Sequence, residues 1–171
     1  MLEIVTFPNE ILKRKTNPVK SVDAEIKDII AQMKETMYKN DGIGLAANQV
    51  NIPLSIMVID TTSREEEGEK FKGVLINPTL VAKEDQIKFK EGCLSFPGLQ
   101  VEVIRAKEVL IKAINEFEEE ITLKLTGLPA VVFQHEFDHL SGITFLDRLS
   151  GIKKRFALEK YQKMLKEQVS A

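Results

Sequence analysis

Apolar positions recur along this chain with two different periods, and the changes of period mark out its elements. A short helix is predicted over Asn9–Lys15, just after Pro8. From about Asp23 to Lys39, residues Ile26, Ile29, Ile30, Met33 and Met37 return at helical spacing and form one apolar stripe. Asn40-Asp41-Gly42 supplies the stop signal. Strand-like stretches follow. Leu54–Ile59 is an apolar run of sheet-core type, and Phe71–Ile76 is expected to end at Asn77-Pro78. Val109–Ile114 and Ile121–Leu125 read as the arms of a hairpin around Asn115–Glu120. The helical period comes back at Leu128, with Pro129 suited to a first turn and Gly142 to a C-terminal cap. A last amphipathic helix is predicted over Ile152–Gln168. One helix, many strands and then two helices is an α+β order rather than an alternating α/β one.

No internal repeat and no linker interrupts this order, so residues 1–171 are expected to form one domain. With 43% hydrophobic and 29% charged residues, the composition is that of a globular protein. No apolar run approaches the roughly 20 residues that a membrane-spanning helix needs. The first residues carry neither a basic leader nor an apolar one, so the chain is expected to stay in the cytoplasm where it is made. Its single cysteine cannot form an internal disulfide and suits a reducing compartment. The net charge of −2 argues against wholesale binding of nucleic acid. That figure hides an asymmetry, because 151–171 holds Lys153, Lys154, Arg155, Lys160, Lys163 and Lys166 against only Glu159 and Glu167.

The strongest local signal is His135-Glu136-Phe137-Asp138-His139, inside the predicted second helix. Residues four apart project from the same helical face, so both imidazoles can reach a single ion. These are the only two histidines, and random placement would set them four apart only about 1% of the time, so the spacing itself is informative. Glu136 is turned by about 100° from its neighbour, beside the ligands rather than among them. There it can exchange protons with water activated by a metal.

A third ligand is needed. The pattern HExxHxxGxxH finds Gly142 in place but Phe145 where its histidine would be. Glu159 lies at a workable distance downstream, although it also looks like an i, i+4 partner of Lys163. Cys93 is the other candidate. A lone cysteine is commonly a small buried residue, but Gly92 before it and Phe96-Pro97-Gly98 after it suggest a tight, exposed turn.

Three separated motifs resemble those of the peptide deformylases. They are Gly42-Ile43-Gly44-Leu45-Ala46-Ala47-Asn48-Gln49, Glu91-Gly92-Cys93-Leu94-Ser95, and Gln134-His135-Glu136-Phe137-Asp138-His139-Leu140-Ser141-Gly142. The opening Phe7-Pro8-Asn9-Glu10-Ile11-Leu12 is similar too, so the resemblance covers about residues 1–150. It implies antiparallel strands packed around the HExxH helix, and one divalent ion held by Cys93, His135 and His139. That ion would be Fe²⁺ first, with Zn²⁺, Ni²⁺ or Co²⁺ as alternatives. It also implies that Glu136 is the general acid/base and that the Gln49 amide and the Leu94 backbone N–H stabilise an oxyanion. The substrate would be the N-formyl-methionyl end of a nascent peptide, cleaved to formate and a free amino terminus.

Ile43, Leu128, Val131 and Val132 are candidate walls for a methionine pocket, and Gly44 could bond an extended peptide through its main chain. Glu91 and Arg105 could pair to hold the Cys93 turn. The basic C-terminal helix could rest on the ribosome, or could simply pack through Ile152, Phe156, Tyr161 and Leu165. No membrane partner and no sequence-specific nucleic acid are expected. Two other functions fit parts of the pattern: an HExxH metallopeptidase using Glu159, and a non-catalytic metal-binding module associated with the ribosome.

Overall fold

The structure is a computed structural model that describes residues 2–66 and 68–170. The first long helix, α1 (Ala24–Lys39), begins where the Asp23 carboxylate accepts a hydrogen bond from the Ile26 N–H at 3.0 Å. Its predicted stripe is the buried face, formed by Ile26, Ile30, Met33 and Met37. The chain then reverses into β1 (Gly44–Ala46) and a 3-10 turn at Ala47–Val50. β2 (Ile56–Asp60) and β3 (Lys72–Glu84) follow, then β4 (Ile87–Gly92) and β5 (Gln100–Arg105), and finally β6 (Glu108–Ile114) and β7 (Glu120–Thr126). α2 (Leu128–Leu140) starts with Pro129 in its first turn and stops before Gly142, whose φ is +77°. A third 3-10 turn, Phe145–Arg148, leads to α3 (Gly151–Ser170); the first, Glu10–Lys13, stands where the short N-terminal helix was expected.

Five strands form an antiparallel sheet in the order β1-β2-β3-β6-β7, and β4 pairs with β5 alone. β2 is buried on both faces, and its alternation decides which helix covers which side. Met57 and Ile59 point into a core shared with Leu128, Ala130, Val132 and Phe133 of α2. Ile56 and Val58 point the other way, against Ile26, Ile30, Met33 and Met37 of α1. α2 is therefore buried nearly all round, with His135, Glu136, Asp138 and His139 among its enclosed residues. A third cluster joins Phe96, Leu99, Val101 and Val103 of the β4–β5 region to Phe145, Leu146 and Tyr161. The α+β class and the central HExxH helix are as the sequence predicts.

Three expectations need correction. The strand expected to end at Asn77-Pro78 runs on to Glu84 as β3. Asn77 adopts φ 49° and the pairing with β6 shifts register between Ile76 and Thr79, so the proline's missing N–H falls in a bulge rather than breaking the ladder. In α3, Ile152 and Phe156 do not pack; they are 71% and 64% exposed. Among the described residues only Tyr161 is fully buried there, because the first turns of α3 project beyond the body while its middle lies on the β4–β5 region. Glu159 makes its ion pair with Arg155, at 3.2 Å. β4 and β5 themselves are strands where no element was expected.

Candidate active site

α2 carries His135, Glu136 and His139 into the interior, and helical spacing puts the two imidazoles side by side with ring centroids 5.0 Å apart. Cys93 meets them from the turn that follows β4, a turn closed by the Phe96 N–H donating to the Cys93 carbonyl at 3.0 Å. The thiol sulfur lies 3.3 Å from Nε2 of His139. Cys93, His135 and His139 form a group that could hold a metal ion, their ligand atoms all within 4.8 Å of one another. Glu159 is not part of this group.

The surroundings prepare these side chains. Oε1 of Glu91 accepts from Nδ1 of His135 at 2.8 Å, which leaves Nε2 of that ring facing the site. Glu91 and Arg105 do pair, through two hydrogen bonds of 2.8 and 2.9 Å. Arg105 reaches on to Asp138 at 2.6 Å, and Arg148 grips Asp138 from the other side at 2.6 and 2.9 Å. This chain of charges, buried at Glu91, Arg105 and Asp138, ties β4 and β5 to α2, and so fixes the cysteine turn relative to the histidine helix. The Asn48 amide donates to the His139 carbonyl and joins the Gln49 segment to the same helix.

The electrostatics are those of a site built for a cation. Burial pushes the Glu136 carboxyl up to about 7. Burial alone would lower His135, but the charges of Cys93 and Glu136 overcome it and hold the ring well above its ordinary value. Burial and then the charge of His135 drive His139 well below its own. The negative groups around His135 thus favour positive charge at that position, whether a proton or an ion that displaces it, and His139 is kept neutral, the form that ligates metal. Among the described residues, buried Oε1 of Glu136 and Nδ1 of His139 have no hydrogen-bond partner. Thiolate and imidazole donors, a second carboxylate orienting one ring, and a free oxygen on Glu136 all fit a divalent ion.

A cleft of about 730 Å³ opens onto this centre. Ile43, Gly44, Leu128, Val131 and Val132 all line it, together with Gln49, Leu94 and Glu136. Gln49 is not a surface residue: it is buried in the 3-10 turn after β1. Its Oε1 accepts from the Ala46 N–H at 2.9 Å, which points Nε2 toward Cys93 (3.6 Å) and Ser95 (3.2 Å). Gly44 passes so close to α2 that a Cβ there would stand 2.6 Å from Oε2 of Glu136 and 2.7 Å from Cγ1 of Val132. β1 is an edge strand, paired only with β2. The link from Glu91 to His135 and the roles of Asp138 and Arg148 were not foreseen.

A buried HExxH helix and a cysteine turn gathered around one possible metal site, at the end of a cleft lined by both polar and apolar residues, define a metallohydrolase. The family model for polypeptide deformylase matches residues 1–155, and the chain belongs to that family. It is 57% identical over 164 residues to a peptide deformylase of Aquifex aeolicus (strain VF5), covering 96% of each chain. To a peptide deformylase of Neisseria meningitidis it is 43% identical over 166 residues, covering 95% of this chain and 97% of the other. Among solved structures, a Legionella pneumophila peptide deformylase superposes with a TM-score of 0.89 at 35% identity, covering 100% of this chain and 99% of that one. An Ehrlichia chaffeensis peptide deformylase in complex with actinonin gives 0.87 at 36% identity, covering 96% and 97%. The chain is thus a metal-dependent hydrolase that removes the formyl group from the N-terminal formyl-methionine of newly made polypeptides. Among the described residues no helix is long and apolar enough to cross a membrane.

Proposed function

We propose that deformylation is carried out by Cys93, His135 and His139 as ligands of one divalent ion, with Glu136, Gln49 and Leu94 acting on the substrate. The observation that carries this reading is the convergence of a thiol and two imidazoles within 4.8 Å, beside a buried carboxylate. When bound, the ion supplies Lewis acidity and brings the pKa of water from 15.7 to about 7. A thiolate ligand offsets part of the ion's charge, so the protein's own groups carry more of the work.

Glu136 takes the proton of the attacking water and delivers it to the departing amine nitrogen as the C–N bond of the formamide breaks. Its pKa of about 7 suits both halves of that exchange at neutral pH. The Gln49 amide stays uncharged, and the hydrogen bond from Ala46 fixes which end of it donates. With the Leu94 N–H it stabilises the oxyanion of the tetrahedral intermediate, each donor contributing about 2.7–4 kcal/mol. The methionine side chain packs against Ile43, Leu128, Val131 and Val132. The peptide lies as an added strand along the open edge of β1 and bonds to the main chain at Gly44.

Fe²⁺ is the ion assigned to the site, with Zn²⁺, Ni²⁺ or Co²⁺ able to replace it, since thiolate and imidazole suit all four. The enzyme works in the cytoplasm as one domain spanning residues 1–171. Its α3 helix meets the ribosome through Lys153, Lys154 and Arg155, which flank the exposed Ile152 and Phe156. Formate release from a formyl-methionyl peptide, by protein prepared without oxygen and loaded with Fe²⁺, tests the assignment. Absence of release from protein with one metal bound per chain would overturn it.

A further inference from the structure

Tyr161 is 1% exposed in a helix whose preceding turns lie open to solvent. Its ring packs on Phe96 with centroids 5.1 Å apart and meets Phe7 edge-on at 6.4 Å. Its hydroxyl donates to the Phe7 carbonyl at 3.2 Å. Both of these aromatic neighbours are bonded through their backbones to the turn that bears the thiol. The Phe96 N–H donates to the Cys93 carbonyl at 3.0 Å, and the Phe7 N–H to the Ser95 carbonyl at 2.9 Å. Cys93 itself packs against the same cluster. From the far side of Phe96, Phe145 stands at 4.9 Å and lies edge-on to His135 at 5.6 Å. The rings therefore form a continuous solid from α3 to two of the proposed ligands.

One helical turn further, Met164 reaches the other end of the thiol-bearing turn. A Cβ on Gly98, whose φ is +82°, would stand 2.6 Å from Cε of Met164, so the helix and the turn are in direct contact there. Lys160, on the same face, lines the cleft. The Cys93 turn runs between Gly92 and Gly98 and is tied within itself by short-range hydrogen bonds. Its position relative to α2 is set on one side by the charges around Glu91, and on the other by these rings.

We infer that Tyr161 is a positioning residue for the metal centre: its ring, wedged under Phe7 and Phe96, holds Cys93 in reach of His139. The inference rests on the reading of Cys93 as a ligand. It makes α3 a support of the metal centre rather than an appendage, because removing the ring loosens the thiol-bearing turn, while His135, reached only through Phe96 and Phe145, stays on its own helix.

The test uses the full chain loaded with Co²⁺, whose thiolate charge-transfer absorption reports the Cys93 bond, and follows metal release to a chelator. Residues that orient ligands typically change metal affinity by about 10- to 100-fold, and an acceleration of release in that range is expected for Tyr161→Ala, with a weakened thiolate band. Tyr161→Phe keeps the ring and is expected to release metal close to the wild-type rate. Ile30→Ala, in the α1 core far from the site, is expected to lower the unfolding temperature while leaving release unchanged. Release from Tyr161→Ala no faster than from Ile30→Ala, with an intact band, would overturn the inference. If the alanine variant does not fold, Tyr161→Leu retains most of the buried volume and is judged by the same two readings. Absence of the thiolate band in the wild-type cobalt protein would refute Cys93 as a ligand, and the inference with it.

Discussion

Glu91 accepts the Nδ1 proton of His135 at 2.8 Å while both of its oxygens hold the guanidinium of Arg105. One buried carboxylate thus orients a proposed ligand and anchors the strand that leads to another. Replacing Glu91 with Gln leaves Arg105 facing only Asp138. Breaking a buried ion pair from one side costs about 3–5 kcal/mol. Urea unfolding of metal-free Glu91→Gln should show a loss of that order, and the variant should release metal faster than wild type. A loss below 1 kcal/mol would mean that the pair is not isolated from water.

The same residue sets a pH dependence. Burial raises the Glu91 carboxyl, but the hydrogen bonds from Arg105 and His135 outweigh it and hold it below its ordinary value. A carboxylate lowered in the folded state stabilises the protein above its unfolded pKa, and that contribution is lost as pH falls through the folded one. The unfolding temperature of the metal-free protein should therefore drop as pH falls below the ordinary carboxylate range. In Glu91→Gln the drop should be shallower. Parallel curves for the two proteins would show that other groups govern acid unfolding.

Gly44→Ala puts a methyl group 2.6 Å from Oε2 of Glu136 and 2.7 Å from Val132. The carboxylate must shift, and misplacing a reacting group by about 1 Å can cost on the order of 100-fold in rate. The variant should fold, bind metal and lose kcat by about that factor. Wild-type turnover in Gly44→Ala would show that the Glu136 carboxylate is free to move.

Glu136→Gln separates chemistry from metal binding. The amide keeps the shape but cannot take a proton, so formate release should fall by about 100- to 10,000-fold. Metal content, measured by elemental analysis, should stay at one per chain. Loss of metal together with activity would make Glu136 a ligand rather than an acid/base.

Oxygen should distinguish the ions. With a thiolate bound to a redox-active metal, the iron form is expected to lose activity in air faster than the nickel form. Equal decay rates for the two forms would argue against iron chemistry at Cys93.

Periodicity together with stop and cap signals located α1, α2 and α3 and the β6–β7 hairpin; in α1 the reason is plain, since its one buried face imposes helical spacing on the sequence. The alternating Ile87-Lys88-Phe89-Lys90-Glu91 and Gln100–Arg105 were equally regular, yet these strands pair only with each other. Each strand is short and buries one face only, so few apolar positions mark it. Pro78 misled for the opposite reason, since its local rule is overridden where a bulge absorbs the missing donor.

The chemistry-bearing residues were legible because chemistry restricts them by type and spacing: two imidazoles one helical turn apart, a carboxylate beside them, and a thiol between glycines. What the sequence by itself determined is a set of candidate residues for the site and the helix that carries His135, Glu136 and His139. Only the tertiary structure decided that Glu91 turns toward His135, that Gln49 is buried with its amide fixed, and that Tyr161 rather than Phe156 seats the last helix. The Glu91–His135 and Tyr161–Phe7 contacts join residues 44 and 154 positions apart, and a local pattern carries no record of them. They follow from packing, where a charged or aromatic side chain takes whichever partner the fold brings within reach.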